Sequence, residues 1–276
     1  PGVALKQEGI SYMAGAELPA VVVNVMRGGP GLGSIQPSQS DYYQATRGGG
    51  NGDYRTIVLA PANIQEAVDL TQEAFDIADY YRNPVVVLAD GTIGQMMEPI
   101  VWHDIPKREL GEKTWAASGR NGREKNNFIT SLLIDAADCE DHNLHLEKKY
   151  EAMKENEVRF EEYMTEDAEM IVVAYGTPAR IAMSAIDDVR AEGVKVGLLR
   201  PITLWPFPEK AVAELAATEN VKKFLVVEES LGQMVDDVRI AVNGAKEVAF
   251  YGRTGGTIPT KAEIADAIKE NMKGVE

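Results

Sequence analysis

Residues 18–33 read LPAVVVNVMRGGPGLG. The first nine are an almost unbroken apolar, valine-rich run. Such a run predicts a strand buried on both faces, as in a parallel sheet covered by helices. The next seven, Arg27-Gly28-Gly29-Pro30-Gly31-Leu32-Gly33, form a loop at the carboxyl end of that strand. Ligands of open parallel sheets bind just beyond such ends. Glycines let backbone N–H groups approach an anion closely. Arg27, the first residue out of the apolar run, has a planar fork that matches a carboxylate. The plainer reading of the same residues is a tight turn with glycines for left-handed backbone and a solvated arginine.

Working outward, the pattern is strand, helix, strand. Thr56 to Ala60 is a second strand. Pro61 to Tyr81 is helical, with Ile64, Ala67, Val68, Thr71, Ala74, Phe75 and Ala78 at helix spacing. Asn83-Pro84 stops it, and Val85 to Ala89 is a third buried strand. That order implies a right-handed crossover and a parallel sheet. Ala4 to Ala16, upstream, has helical patterning. From Val101 to about Thr165 the chain turns polar and charged, with Trp102 and Trp115 as isolated anchors and Leu144 to Tyr163 as one long charged helix. Beyond it lie strands at Glu169–Tyr175, Lys195–Leu199, Lys223–Glu228 and Glu247–Tyr251. They alternate with helices at Pro178–Glu192, Pro206–Thr218, Gly232–Val242 and Thr260–Met272. The fold class is therefore α/β, with two three-layer α/β/α domains. Residues 1–105 form the first, 106–165 an extension and linker, and 166–276 the second.

Composition bounds the function. The 276 residues include 28 basic and 43 acidic side chains, a net charge of −15. That sign argues against a nucleic-acid backbone as partner and against an anionic membrane surface. Cys139 is the only cysteine, so this chain alone can hold no internal disulfide, Cys-ligated zinc or iron–sulfur cluster. A reducing cytoplasm is the natural compartment. No signal segment or bilayer-spanning apolar run occurs. The chain begins at Pro1 and enters a strand after one helical segment, as if in mid-domain, so residues upstream are expected to be missing.

Other motifs are weaker. No G-x-G-x-x-G occurs, and Pro37 interrupts the chain before the next helix, which argues against a dinucleotide site. Phosphate-loop and serine-hydrolase signatures are absent. Within Ser34–Asp41 (SIQPSQSD), Ser38 is a candidate helix N-cap, with Asp41 three residues on. A ligand contact is as good a reading of the stretch. The triple glycine Gly48-Gly49-Gly50 predicts a mobile segment near the site. Cys139, His142 and His145 have metal-like spacing, yet their charged setting favours a structural reading. His103 is read as a surface or packing residue. Asp187-Asp188 and Asp236-Asp237 are adjacent on helices, point apart, and are read as solvated.

Together these stretches resemble a known family. The run from Ala16 to Thr46, the later NPVVVLADG, the second-domain GVKVGLLRPITLWPFP and the terminal GRTGGTIPT look like the α-type subunit of 2-oxoacid:ferredoxin oxidoreductases, closest to the branched-chain (2-oxoisovalerate) branch. The resemblance covers nearly the whole chain. It implies the C-terminal part of a thiamine-diphosphate pyrimidine-binding domain followed by a transketolase C-terminal-like domain. It implies thiamine diphosphate and Mg2+ shared with a β subunit, coenzyme A as cosubstrate, and iron–sulfur clusters on other subunits only. It further implies γ and ferredoxin-like δ subunits, ferredoxin, and a hetero-oligomer. By the same resemblance Arg27 binds the substrate carboxylate within the loop Arg27, Gly28, Gly29, Pro30, Gly31, Leu32, Gly33. Relatives acting on 2-oxoglutarate carry Ser-Thr at the place of Gly31-Leu32, so an apolar Leu32 suits an aliphatic tail. The glutamate that activates the cofactor falls upstream of Pro1. No catalytic residue is therefore expected in this chain, which should be inactive alone. The competing readings are a 2-oxoglutarate-oxidising subunit, a non-catalytic assembly module, and a thiamine enzyme that needs no ferredoxin.

Overall fold

A computed structural model describes residues 2–120 and 122–273; Pro1 lies outside the described residues. A short 3-10 turn (Ala4–Lys6) leads into α1 (Gln7–Gly15), then β1 (Ala20–Met26), α2 (Tyr42–Arg47), β2 (Ile57–Leu59), α3 (Ile64–Tyr81) and β3 (Pro84–Asp90). After a long connection come α4 (Ala136–Asn156), β4 (Phe160–Tyr163), β5 (Met170–Val173), α5 (Gly176–Ala191), β6 (Val196–Pro201) and β7 (Thr203–Trp205). The chain continues through α6 (Glu209–Ala217), β8 (Lys223–Glu228), α7 (Met234–Val242), β9 (Glu247–Gly252) and α8 (Lys261–Met272).

Two sheets result. The first has the order β1-β3-β2-β7, parallel except for β7; the second is β4-β6-β5-β8-β9, parallel except for β4. The helices form where their apolar faces have a sheet to cover. The α3 helix starts at Asn63, whose side chain accepts from the Glu66 N–H, and ends at Arg82 in left-handed backbone. Its buried face (Leu70, Ala74, Ile77, Ala78, Tyr81) meets Ile57, Leu59, Val85 and Val87. Leu146, Tyr150 and Met153 of α4 join the same cluster. On the outer side of the second sheet, α5 and α8 cover Met170, Val172, Leu198, Leu225 and Val227. The largest core is shared by both sheets. Met26, Val58, Val86 and Leu88 of the first pack with Ile171, Val173, Leu199 and Val226 of the second, around Tyr42 and Tyr175. The two sheets thus face one another through one apolar layer, and their carboxyl ends share one side.

Several sequence expectations change. The β1 strand is not buried on both faces: it is the outermost strand of its sheet, and Val23 and Val25 are 54% and 48% exposed. The apolar run reports a surface fit for covering, while order within the sheet decides whether anything covers it. The helix expected over Leu144–Tyr163 instead begins at Ala136, where Asp135 accepts from the N–H groups of Ala137 and Asp138. It ends at Asn156, and Phe160–Tyr163 becomes an antiparallel edge strand on β6. The antiparallel β7 inside RPITLWPFP was unforeseen. It pairs with β2 and so ties a strand from beyond residue 166 into the first sheet. The following helix starts at Glu209, after a cis Trp205–Pro206 bond. Trp102 is exposed rather than an anchor, whereas Trp115 is covered by the Arg82 guanidinium, 4.5 Å from its ring centre. No helix among the described residues is long and apolar enough to cross a membrane.

Arg200 of β6, 5% exposed at its side chain, holds these layers together. Its guanidinium forks onto Glu66 of α3 at 2.7 and 2.9 Å and reaches Glu161 of β4 at 2.8 Å. Removing it leaves Glu66, which keeps the Ala62 N–H, and the more exposed Glu161 to water; a bond to a charged group is worth roughly 1.5–3 kcal/mol, less where solvent screens it. Arg200→Ala is expected to lower unfolding stability by roughly 2–3 kcal/mol in urea titration. A change within error would show that solvent replaces the fork.

Candidate functional site

The loop after β1 is built around Arg27. Its strand position ends in a single bridge to Pro37, and Gly28 N–H donates to Gln36 O at 2.9 Å. Ser34 N–H closes the loop onto Gly28 O at 2.8 Å. Gly33 sits at φ +51, and a Cβ there would lie 2.1 Å from Gly28 O, so no side chain fits. The Gly29–Pro30 bond is cis. Inside the ring, the Arg27 guanidinium donates to the carbonyls of Gly28 and Ser34 at 3.0 Å, of Gly31 at 3.2 Å, and of Leu32. The sequence reading has this fork free for a ligand. In the structure the loop's own carbonyls hold it, because bending a glycine-rich segment back on itself turns those oxygens inward. The Arg27 Nε and the backbone N–H groups of Gly31, Leu32 and Gly33 make no hydrogen bond among the described residues. Leu32 stands at the tip, 88% exposed, with exposed Ile35 and Leu231 also on this side of the molecule.

Beneath the loop the two domains are clamped. Gln39, fully buried, exchanges hydrogen bonds with Glu229: its N–H donates to Glu229 O at 2.9 Å and its Oε1 accepts from Glu229 N–H at 3.1 Å. Its Nε2 donates to Tyr175 O at 2.9 Å. Ser38 adds a bond to Glu229 O and does not cap a helix; α2 begins after Asp41, which accepts from Asn24. Asp90, at the end of β3, accepts from the Thr177 N–H (2.8 Å) and Oγ1 (2.7 Å) in the first turn of α5. It thus caps a helix of the other domain. Glu228 does the same for α7 within its own domain, accepting from the N–H groups of Gln233, Met234 and Val235.

Glu229 is the anomaly. It is 1% exposed, and neither carboxylate oxygen has a hydrogen-bond partner among the described residues. Burial, and then the charge of Asp90, push its carboxyl up to about 8 from the usual 4.5. Glu228 is also raised by burial, opposed by the bonds it accepts. The sequence reading passed over Asp90, Glu228 and Glu229. Their signal is in the sequence: Asp90 and Glu228 are acidic residues ending apolar strands, with Glu229 next, at the edge where a parallel sheet offers its site.

Other candidates resolve differently. Asp236 and Asp237 are not free solvated faces. Asp237 accepts from the Tyr42 hydroxyl at 2.5 Å and pairs with Arg47 at 3.0 Å, and Asp236 accepts from the Tyr43 hydroxyl. They join α7 to α2 because the first domain packs against that helix. Asp187 and Asp188 lie at the surface, meeting the Tyr163 hydroxyl and Lys261. At Gly48–Gly50, the N–H groups of Gly49 and Gly50 donate to the Tyr54 hydroxyl, and a Cβ on Gly50 would lie 2.4 Å from Gln7 O. His142 and His145 meet Gly15 O (2.7 Å) and Glu17 (3.2 Å), so α4 uses them to grip the turn before β1. Cys139 is free, and no group of three or more His, Cys, Asp or Glu among the described residues could hold a metal ion. His103 is exposed, 3.7 Å from Asp69.

Two α/β domains meet sheet to sheet here, with an arginine–glycine loop at their shared carboxyl-end mouth, where open parallel sheets bind ligands. Residues 1–165 match the model of the thiamine-diphosphate-binding domain of pyruvate flavodoxin/ferredoxin oxidoreductases, and 168–264 match core domain II of pyruvate:ferredoxin oxidoreductase. The chain belongs to this oxidoreductase family. It is 51% identical to the ketoisovalerate oxidoreductase subunit VorB of Methanothermobacter marburgensis, over 98% of this chain and 76% of that one. It is 36% identical to the 2-oxoglutarate synthase subunit KorA of Methanothermobacter thermautotrophicus, over 97% and 77%. Among solved structures it is similar to the 2-oxoglutarate:ferredoxin oxidoreductase of Magnetococcus marinus, described with 2-oxoglutarate, coenzyme A and succinyl-CoA bound (TM-score 0.85, 25% identity). The match covers 99% of this chain and 52% of that one, so this chain spans about half its length.

The raised Glu229 carboxyl makes stability pH-dependent. A carboxyl pushed up in the folded state favours folding fully below its unfolded value near 4.5 and loses that contribution as pH rises through about 8. Glu229→Gln is expected to flatten the fall in melting temperature between pH 5 and pH 8.5, and to melt higher than the parent at pH 8. Parallel profiles for the two proteins would rule out a buried protonated Glu229.

Proposed function

We propose that this chain is the α-type subunit of a 2-oxoacid:ferredoxin oxidoreductase that converts branched-chain 2-oxo acids, 2-oxoisovalerate in particular, to acyl-CoA. The 51% identity to a ketoisovalerate oxidoreductase subunit across nearly the whole chain carries this reading. The exposed Leu32 at the loop tip supports it: an aliphatic substrate tail leaves water most favourably beside an aliphatic side chain.

In this reading the Arg27 loop receives the substrate carboxylate. Arg27 offers Nε, while Gly31, Leu32 and Gly33 offer unpaired backbone N–H groups around it. The guanidinium stays in place because the loop carbonyls already hold it, so little side-chain freedom is lost on binding. Thiamine diphosphate, when bound, supplies the electron sink for decarboxylation. Among the described residues no group of three or more His, Cys, Asp or Glu could hold a metal ion, and Arg27 with the free loop N–H groups suits a single carboxylate. By the family resemblance, diphosphate and Mg2+ are assigned to a companion β subunit, and iron–sulfur clusters to γ, ferredoxin-like δ and ferredoxin partners, with coenzyme A as acyl acceptor. Without those subunits the chain is inactive.

Two measurements test this in the reconstituted complex. A charge-assisted carboxylate bond is worth roughly 1.5–3 kcal/mol, so Arg27→Ala is expected to raise KM for 2-oxoisovalerate by about tenfold or more. An unchanged KM would remove Arg27 from the site. Leu32→Thr is expected to move the kcat/KM ratio towards 2-oxoglutarate. Were the parent itself to prefer 2-oxoglutarate, the branched-chain reading would give way to the KorA-like one.

A further inference from the structure

The loop that offers Arg27 belongs to the first domain, yet its floor belongs to the second. Gln36, whose carbonyl pairs with Gly28, has its Cβ against Gly256 in the turn after β9. A Cβ on Gly256 would lie 2.2 Å from Gln36 Cβ, 3.1 Å from its Cγ and 3.3 Å from its Cα. Gly28 in turn backs onto Gly255: a Cβ there would lie 3.2 Å from Gly255 C and 3.3 Å from its O. One glycine pair, Gly28 with Gly255, thus lets the backbones of the domains stack directly, and the missing side chain of Gly256 leaves room for the Cβ and Cγ of Gln36. The turn is itself anchored. Arg253 N–H donates to Glu228 O, and the Arg253 guanidinium pairs with Glu263 of the Thr260 capping box. Gln36 Cβ is fixed to its backbone, so it cannot swing aside as a side-chain tip could. Anything that thickens this contact must move the Gly28–Gln36 pair, and with it the ring around Arg27.

We propose that the Gly255–Gly256 turn of the second domain is a positioning element for the Arg27–Ser34 loop, setting where the 2-oxo acid carboxylate sits; the substrate half of this inference rests on the function proposed above. Gly256 touches no substrate in this account. It acts through Gln36 and Gly28. Because reacting groups must be held to a fraction of an ångström, a small displacement of the loop weakens substrate binding more than it changes the chemistry at saturation.

The test compares Gly256→Ala with Gly193→Ala in the assembled complex. Both glycines have left-handed backbone, φ +103 and +91, so both alanines incur the same kind of strain. A Cβ on Gly193 meets nothing within 4 Å, and that residue precedes β6 at the amino ends of the strands, away from the loop. Readouts are KM and kcat for 2-oxoisovalerate, melting temperature, and amide exchange across residues 27–37. Gly256→Ala is expected to raise KM roughly five- to tenfold with little change in kcat, and to speed exchange in the loop. Gly193→Ala is expected to lower the melting temperature and leave the other readouts at the parent's level. Adding Gln36→Gly to Gly256→Ala deletes the opposing Cβ and should return KM to within about twofold of Gln36→Gly alone. Parent-like KM and loop exchange in Gly256→Ala, or no recovery in the double variant, would overturn the proposal. Should the parent complex oxidise no 2-oxo acid, the proposed function fails, and loop exchange alone decides the positioning role.

Discussion

The reciprocal pair of hydrogen bonds between Gln39 and Glu229 is the constraint on which the rest of the mouth depends. Each residue satisfies the other's backbone, and Gln39 Nε2 donates to Tyr175 O. Every atom involved is buried, where a lost partner costs the desolvation of what is left behind. The clamp therefore fixes the loop following β1 against the carboxyl ends of β5 and β8. The apolar layer around Tyr42 and Tyr175 makes the contact strong, but apolar contact is non-directional. The hydrogen bonds supply the register.

The seam is strongly acidic for its depth. Asp90 and Glu228 end buried parallel strands, and Glu229 follows directly on Glu228. Two of them are stabilised by helix N-termini, where free N–H groups and the helix dipole favour a negative charge. Glu229 faces no such donor among the described residues, and burial, with the charge of Asp90, pushes its carboxyl up to about 8. Burial raises both Glu228 and Glu229, but the N–H groups that Glu228 accepts oppose the rise there, while Glu229 has no such opposition. Nothing in the residue type distinguishes Glu228 from its neighbour; only the direction of each side chain relative to α7 does.

Arg27 illustrates the same division at the loop. Its position after a valine run and before a row of glycines marks it as an anion-facing residue on sequence grounds. The structure adds that the guanidinium is already committed to several loop carbonyls, so it serves as the loop's own scaffold as well as a candidate ligand group. The Gly255–Gly256 turn makes the second domain part of that scaffold, although more than 200 residues separate it from Arg27 in the chain. The aspartates of α7 show the opposite error. Adjacent acids on a helix look like solvated charge until another domain brings tyrosine hydroxyls to them.

By itself the sequence determined the local and the periodic. The alternation of strands and helices, most buried strands, the stop at Asn83-Pro84 and the glycine loop after β1 follow from side-chain period and backbone permissiveness, which act over a few residues. Tertiary structure decided the rest. The antiparallel strands Phe160–Tyr163 and Thr203–Trp205 form because neighbouring edges were open to them, and short runs carry too little periodicity to announce that. The exposure of Val23 and Val25 depends on strand order, which no local pattern encodes. Likewise, the unpaired carboxyl of Glu229 and the close approach of Gly256 to Gln36 exist only because two separate domains meet there, and contact between distant segments leaves no mark on the residues nearby in sequence.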